Sequence, residues 1–251
     1  LKVAPEASMS EPRARESVAR SALTFLSEAT FKKTVWNRVK APGICLAKAD
    51  LSEANLVFAH LAGADMSGAR LQGARMRKAN LEGANLADAD CRGINLQEVQ
   101  MGSVNMENIN LEGAQMTSSI GFSGVSLKGA NLKGTNLEDA RLPEANLEGA
   151  DLTGANLEST VLERANLAGA NLVDANLTRA NLGRAILSTC VFAGALFEDT
   201  NMRQSVLRGA NFSGSHYINA FFSMAEVDEA IVPEEFREAL NTSQGVPSFV
   251  E

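Results

Sequence analysis

Residues 49–83 read Ala49-Asp50-Leu51-Ser52-Glu53, Ala54-Asn55-Leu56-Val57-Phe58, Ala59-His60-Leu61-Ala62-Gly63, Ala64-Asp65-Met66-Ser67-Gly68, Ala69-Arg70-Leu71-Gln72-Gly73, Ala74-Arg75-Met76-Arg77-Lys78 and Ala79-Asn80-Leu81-Glu82-Gly83. A large apolar residue returns at every fifth position. Worked outward, the same period runs from Leu46 to Met116 and, after a pause, from Phe122 to Phe222, giving about 36 central residues. So much repetition makes the chain a repeat protein before any other feature is weighed.

A period of five fits neither the helix, nor the plain strand, nor the heptad. Two residues before each centre stands a small residue, usually alanine, as at Ala145, Ala150 and Ala165. In an extended segment, residues two apart point the same way, so this residue and the centre share one side while the residue between them takes the other. The remaining two residues must turn the chain. Each unit is then a very short strand and a corner. Charge tests this geometry: between Cys45 and Met224 no Asp, Glu, Lys or Arg occupies a centre or a small position. A lone buried charge costs several kcal/mol, so inside and outside are written in the sequence. Cys91 and Tyr217 at centres, and Thr135, Thr160, Cys190, Thr200, Ser205 and Ser215 at small positions, are mild departures.

The run resembles the pentapeptide-repeat family, whose pattern is A-(D/N)-L-x-x. That resemblance implies an all-β solenoid, a right-handed quadrilateral parallel β-helix with four pentapeptides per coil. On that reading residues 44–232 make about nine coils and a rod about 43 Å long. Met116 to Phe122 is six residues rather than five, a one-residue insertion within 117–121 that reads as a bulge.

Both open ends of such a rod need covering. Residues 1–43 are expected to form an N-terminal α-helical cap with a flexible start. Val18, Ala22, Phe25, Leu26 and Ala29 fall at helical spacing, Phe31, Val35, Trp36 and Val39 continue the face, and Pro42-Gly43 stops it. Val57 and Phe58, apolar at outward positions, are its expected docking surface. Residues 233–251 are expected to begin as a short helix from Pro233, with Phe236 and Leu240 covering the last coil, and then to fray. Charge is uneven along this axis: residues 1–44 carry about eight basic and four acidic groups, and the tail from Ala225 about one and seven.

The 251 residues carry 23 Lys and Arg against 30 Asp and Glu, a net charge of −7, which argues against direct nucleic acid binding. No apolar run suits a membrane span, so no membrane insertion is expected. Three separated cysteines, Cys45, Cys91 and Cys190, suggest neither disulfides nor zinc. His60 and His216 are predicted to lie near opposite ends of the rod. No phosphate-cradling glycine motif opens a helix. The expectation is a protein with no catalytic residue, metal or cofactor.

Function must then lie on the faces. Counting by twenty gives a basic stripe, Arg141, Arg164, Arg184 and Arg203, beside an acidic one, Glu138, Asp139, Glu158, Glu198 and Asp199. They either satisfy one another or steer a charged partner. Arg70, Arg75, Arg77 and Lys78 form a separate small basic cluster. Ile186, Val191, Leu196, Val206 and Phe221 stand where repeats carry polar residues, and Ile218 lies nearby. These predict a surface covered by a partner or by the C-terminal segment folding back. Dimerisation through C-terminal coils occurs in some members of the resembled family, which makes a homodimer one expectation. Two functions follow: a rigid scaffold for an unidentified protein partner, or, from the resemblance alone, a DNA mimic that binds a type II topoisomerase. Free cysteines and no evident leader suggest the cytoplasm; the family also occurs in the chloroplast thylakoid lumen after transit-peptide removal.

Overall fold

The structure, a computed structural model, describes residues 26, 28–117 and 122–233. Every backbone bridge in it is parallel and joins residues twenty or twenty-one apart. Four pentapeptides therefore complete one coil. The bridges run up four sides, which begin at Thr30, Val35, Lys40 and Cys45 and continue at Asp50, Asn55, His60 and Asp65. On the first side, ten successive bridges among the described residues lead from Thr30 to Ile231. Two three-residue strands stand out on the second side, β1 (Leu196–Glu198) and β2 (His216–Ile218), paired in parallel.

One pentapeptide shows why this sequence takes this path. In Ala84-Asn85-Leu86-Ala87-Asp88 every backbone N–H has a destination. The Asn85, Leu86 and Asp88 amides donate to the neighbouring coils, at Ala64 O (2.9 Å), Asn105 O (2.7 Å) and Glu107 O (2.9 Å). The Ala84 amide closes a turn onto Leu81 O at 2.8 Å. The Ala87 amide donates to Asn85 Oδ1 at 3.2 Å. The asparagine before each centre thus supplies an acceptor that the backbone lacks. Its amide nitrogen bonds along the rod as well. Asn105 Nδ2 donates to Asn85 Oδ1, and Asn85 Nδ2 to Asp65 Oδ1, at 3.2 and 3.3 Å. Asparagine can both accept and donate, so it climbs the rod as a ladder.

The core is a dry column of centres and small residues. Leu51, Leu86, Leu147 and Phe197 lie between 0% and 2% exposed. Phe192 stacks on Phe212 one coil above, centroids 4.8 Å apart, with Phe197 edge-on to Phe192 at 5.3 Å. The interior threonine hydroxyls are satisfied: Thr135, Thr160 and Thr200 donate to the carbonyls of Leu111, Leu137 and Leu177 in the coil below, at 2.8–2.9 Å. The insertion shifts register by one residue, since Asn105, Asn110 and Gln115 pair with Ser126, Asn131 and Asn136.

The N-terminal cap is corrected. Residues 28–43 form a coil of the β-helix: Thr30, Val35 and Lys40 bridge Asp50, Asn55 and His60. Phe31, Trp36 and Ala41 keep the five-residue step into Leu46, and Lys32, Lys33 and Arg38 all fall on outward positions. A five-residue period and a helical one both bring Phe31 and Trp36 near one face, and only the bridges separate them. Pro42-Gly43 is an ordinary corner, with Gly43 at φ 68°. Trp36 is therefore a central residue, donating its amide to Asn55 O and packing edge-on to Phe31 at 5.0 Å, rather than a helix side chain seated on Val57 and Phe58. The helical reading of residues before 26, and of 234–251 with Phe236 and Leu240, lies outside the described residues.

Candidate interaction surfaces

The two charged stripes follow the turns after the second and third sides. Arg164 and Arg184 stack twenty residues apart in one corner column, flanked by Glu144 below and Gln204 above. Arg164 pairs with Glu144 at 3.5 Å, and Arg184 Nε donates to Gln204 Oε1 at 2.7 Å. Arg203 lies over the Phe221 ring, 4.9 Å from its centroid. The acidic stripe contains a cation that the sequence count left out: Arg179 pairs with Glu158. Elsewhere the same rule holds, cation to acid one coil away: Lys128 to Glu148 at 3.0 Å, Lys78 to Glu98 at 3.4 Å and Arg208 to Asp228 at 3.4 Å. These are exposed pairs, each worth under about 1 kcal/mol, and they clip neighbouring coils together. Counting acids and bases in steps of twenty would have found Arg179.

Four carboxylates, Asp50, Asp90, Glu98 and Asp151, are held below their ordinary range. The Arg92 guanidinium donates to both oxygens of Asp90, at 2.9 and 2.8 Å, and this outweighs partial burial. Asp50 is lowered chiefly by the Ser52 hydroxyl, at 2.6 Å, and then by the Ser52 amide. Burial raises the Cys190 thiol to about 12 and raises Cys91 as well. None of these groups faces another across a cleft in a way that would pair an acid with a base. Among the described residues no three His, Cys, Asp or Glu side chains could hold a metal ion together. His60 and His216 stand on different sides near opposite ends.

The apolar candidates encircle the last coils. Ile186 and Val206 stack on the fourth side, Val191 is on the first, Leu196 on the second and Phe221 on the third. Ile186, Leu196 and Phe221 are 42–44% exposed; Val191 and Val206 are half-buried. Ile218, Met224 and Ile231 are more exposed still. The structure therefore gathers these residues at one end of the rod and spreads them over its four sides. Among the described residues, no large apolar side chain is exposed between Phe58 and Ile186.

With this geometry the family follows. The model of Pentapeptide repeats, in 8 copies, matches residues 44–83, 74–113, 122–158, 155–192 and 185–223. The chain belongs to the pentapeptide-repeat family. Among solved pentapeptide-repeat proteins, it is similar to HetL, involved in heterocyst differentiation regulation in the cyanobacterium Nostoc sp. strain PCC 7120. Identity there is 28%, coverage 87% of this chain and 95% of that one, and TM-score 0.59. QnrB1, a plasmid-mediated fluoroquinolone resistance protein, in a trypsin-treated form, shares 19% identity over 77% of this chain and 91% of that one, with a TM-score of 0.40. A pentapeptide repeat protein from the Arabidopsis thaliana thylakoid lumen shares 20% over 49% and 74%, with a TM-score of 0.30. No curated protein matches. The family is one of right-handed β-helices, in keeping with the coils described above.

Proposed function

We propose that this pentapeptide-repeat protein is a non-enzymatic scaffold that holds a protein partner on its C-terminal coils. The observation that carries the reading is the loss of the asparagine code there. Ile186, Val191, Leu196, Val206 and Phe221 occupy the position before a centre, where asparagine caps the turn and continues the ladder. An apolar residue there gives up both hydrogen bonds and exposes hydrocarbon, so it contributes nothing to the rod that asparagine would not. Among the described residues, six of the eight exposed large apolar side chains lie from Ile186 onward. A second copy of the chain is one partner this ring would suit.

Mimicry of duplex DNA gains no support from the charge. DNA carries one negative charge per about 1.7 Å, whereas the described coils net about −5 and interleave arginine with acid throughout.

The test is a triple return to the repeat pattern, Ile186→Asn, Leu196→Asn and Phe221→Asn. The variant should fold and melt no lower than the parent, and lose whatever chain, its own second copy included, the parent holds in sedimentation and cross-linking. Retention unchanged in the variant, or no association of the parent with any protein of its native cell, would overturn the reading.

A further inference from the structure

The opposite end of the rod carries a second departure from the repeat code, independent of the C-terminal ring. Among the described residues of the N-terminal coils, Val35 and Phe58 are the exposed large apolar ones, 76% and 40% exposed, and both lie on the second side or its turn. Phe58 sits at φ 57°, a backbone region that penalises bulky L side chains and that the neighbouring corners fill with glycine or long polar residues. Its ring is sandwiched along its column by cations, with Arg38 Cζ at 5.5 Å and Lys78 Nζ at 5.7 Å from the centroid. Arg75, two rungs up the ladder from Val35, and Lys40 on the adjoining side extend the charge. Many surface cations of the rod find an acid one coil away; here Arg38, Lys40 and Arg75, like Arg70, Arg141, Arg184 and Arg203 elsewhere, make no ion pair among the described residues, and Glu98 alone serves Arg77 and Lys78.

We propose that this patch, Phe58 between Arg38 and Lys78 with Val35 and Arg75 beside it, binds an acidic protein segment carrying a bulky apolar side chain. It is a site beyond the C-terminal ring proposed above and does not depend on it. The apolar side chain of the partner would cover Phe58 and Val35, and its carboxylates would meet the unpaired guanidinium and ammonium groups. Partly desolvated cation and aromatic pairs of this kind act as binding hot spots. The occupant must be acidic because the site is cationic. Residues 1–25, with Lys2, Arg13, Arg15 and Arg20 against three glutamates, carry the wrong sign to fill it. Nucleic acid would also meet the cations, but the rest of the molecule, at a net −7 overall, repels it.

The test uses the full chain and three labelled probes: a peptide of about twelve residues, glutamates around a central Leu-Phe pair; its glutamine counterpart; and a single-stranded DNA of similar length. The acidic peptide should bind, and weaken several-fold between about 50 and 200 mM salt. Exchange of Glu for Gln, the Arg38→Gln, Arg75→Gln double variant, and Phe58→Asn should each weaken it about tenfold. Asparagine suits the φ of position 58 better than phenylalanine, so the last variant retains the fold, as its melting would verify. Leu196→Asn should leave peptide binding unchanged, which separates this site from the C-terminal one. No binding of the acidic peptide near millimolar concentration, equal binding of the glutamine peptide, tighter binding of the DNA, or indifference to Arg38 and Phe58 would overturn the proposal.

Discussion

Asn156 concentrates what the outward asparagine does. Its Oδ1 accepts from the Glu158 amide at 3.2 Å and from Asn176 Nδ2 at 3.1 Å, while its Nδ2 donates to Asn136 at 3.2 Å. Asn156→Ala should cost about 1–2 kcal/mol in urea unfolding, since it leaves a turn amide and a ladder amide without acceptors. Asn156→Asp should cost less, because it keeps the cap and loses only the donor. The corner glycines isolate a different term. A Cβ at Gly149, at φ 66°, would meet nothing within 4 Å, so Gly149→Ala tests the backbone alone and should lower stability by about 1 kcal/mol. The pH dependence follows from Asp50 and Asp90, whose folded pKa values are depressed. Their contribution is in place above the unfolded carboxylate pKa near 4 and is lost as pH falls through the lower folded values. Asp90→Asn should therefore be destabilising at pH 7 and progressively less so as pH falls below about 4, read from unfolding midpoints across that range.

At the scale of a coil, the five-residue step carried most of what could be read from sequence. The filled column of centres, the outward charges and the one-residue shift after Met116 all follow from where apolar and ionised residues can go. The first coil did not, because Phe31 and Trp36 replace leucine, Thr34 and Val39 replace alanine, and no asparagine precedes either centre. The charged stripes were legible as positions, but the pairing of Arg179 with Glu158 and the cations about Phe58 are relations between coils, visible only in steps of twenty. The apolar ring was legible as a departure from pattern on several faces, and the ladder assigns each residue to its side. Packing within a coil gives a further expectation. Phe212, fully buried against Phe192 and Phe197, should cost about 3–5 kcal/mol when replaced by alanine, with the loss confined to the last coils in hydrogen exchange.

Over the whole molecule, the repeat code and its departures are separated in space. The middle of the rod keeps asparagine ladders on most of its sides and has no large exposed apolar group among the described residues. Both ends break the code, one with hydrocarbon around the circumference and the other with an aromatic residue held between cations. The two surfaces proposed for partners lie about 35–40 Å apart, from the Phe58 corner to the last coils at about 4.8 Å per coil. All of this rests on the winding, twenty residues to a turn from the first described coil to the last. The most direct test is a set of backbone nuclear Overhauser contacts across coils. The account predicts contacts between Val35 and Asn55 and between Asn146 and Asn166, with a step of twenty-one between Asn110 and Asn131. A run of sequential helical contacts through residues 28–43, or no contacts at these separations, would contradict it.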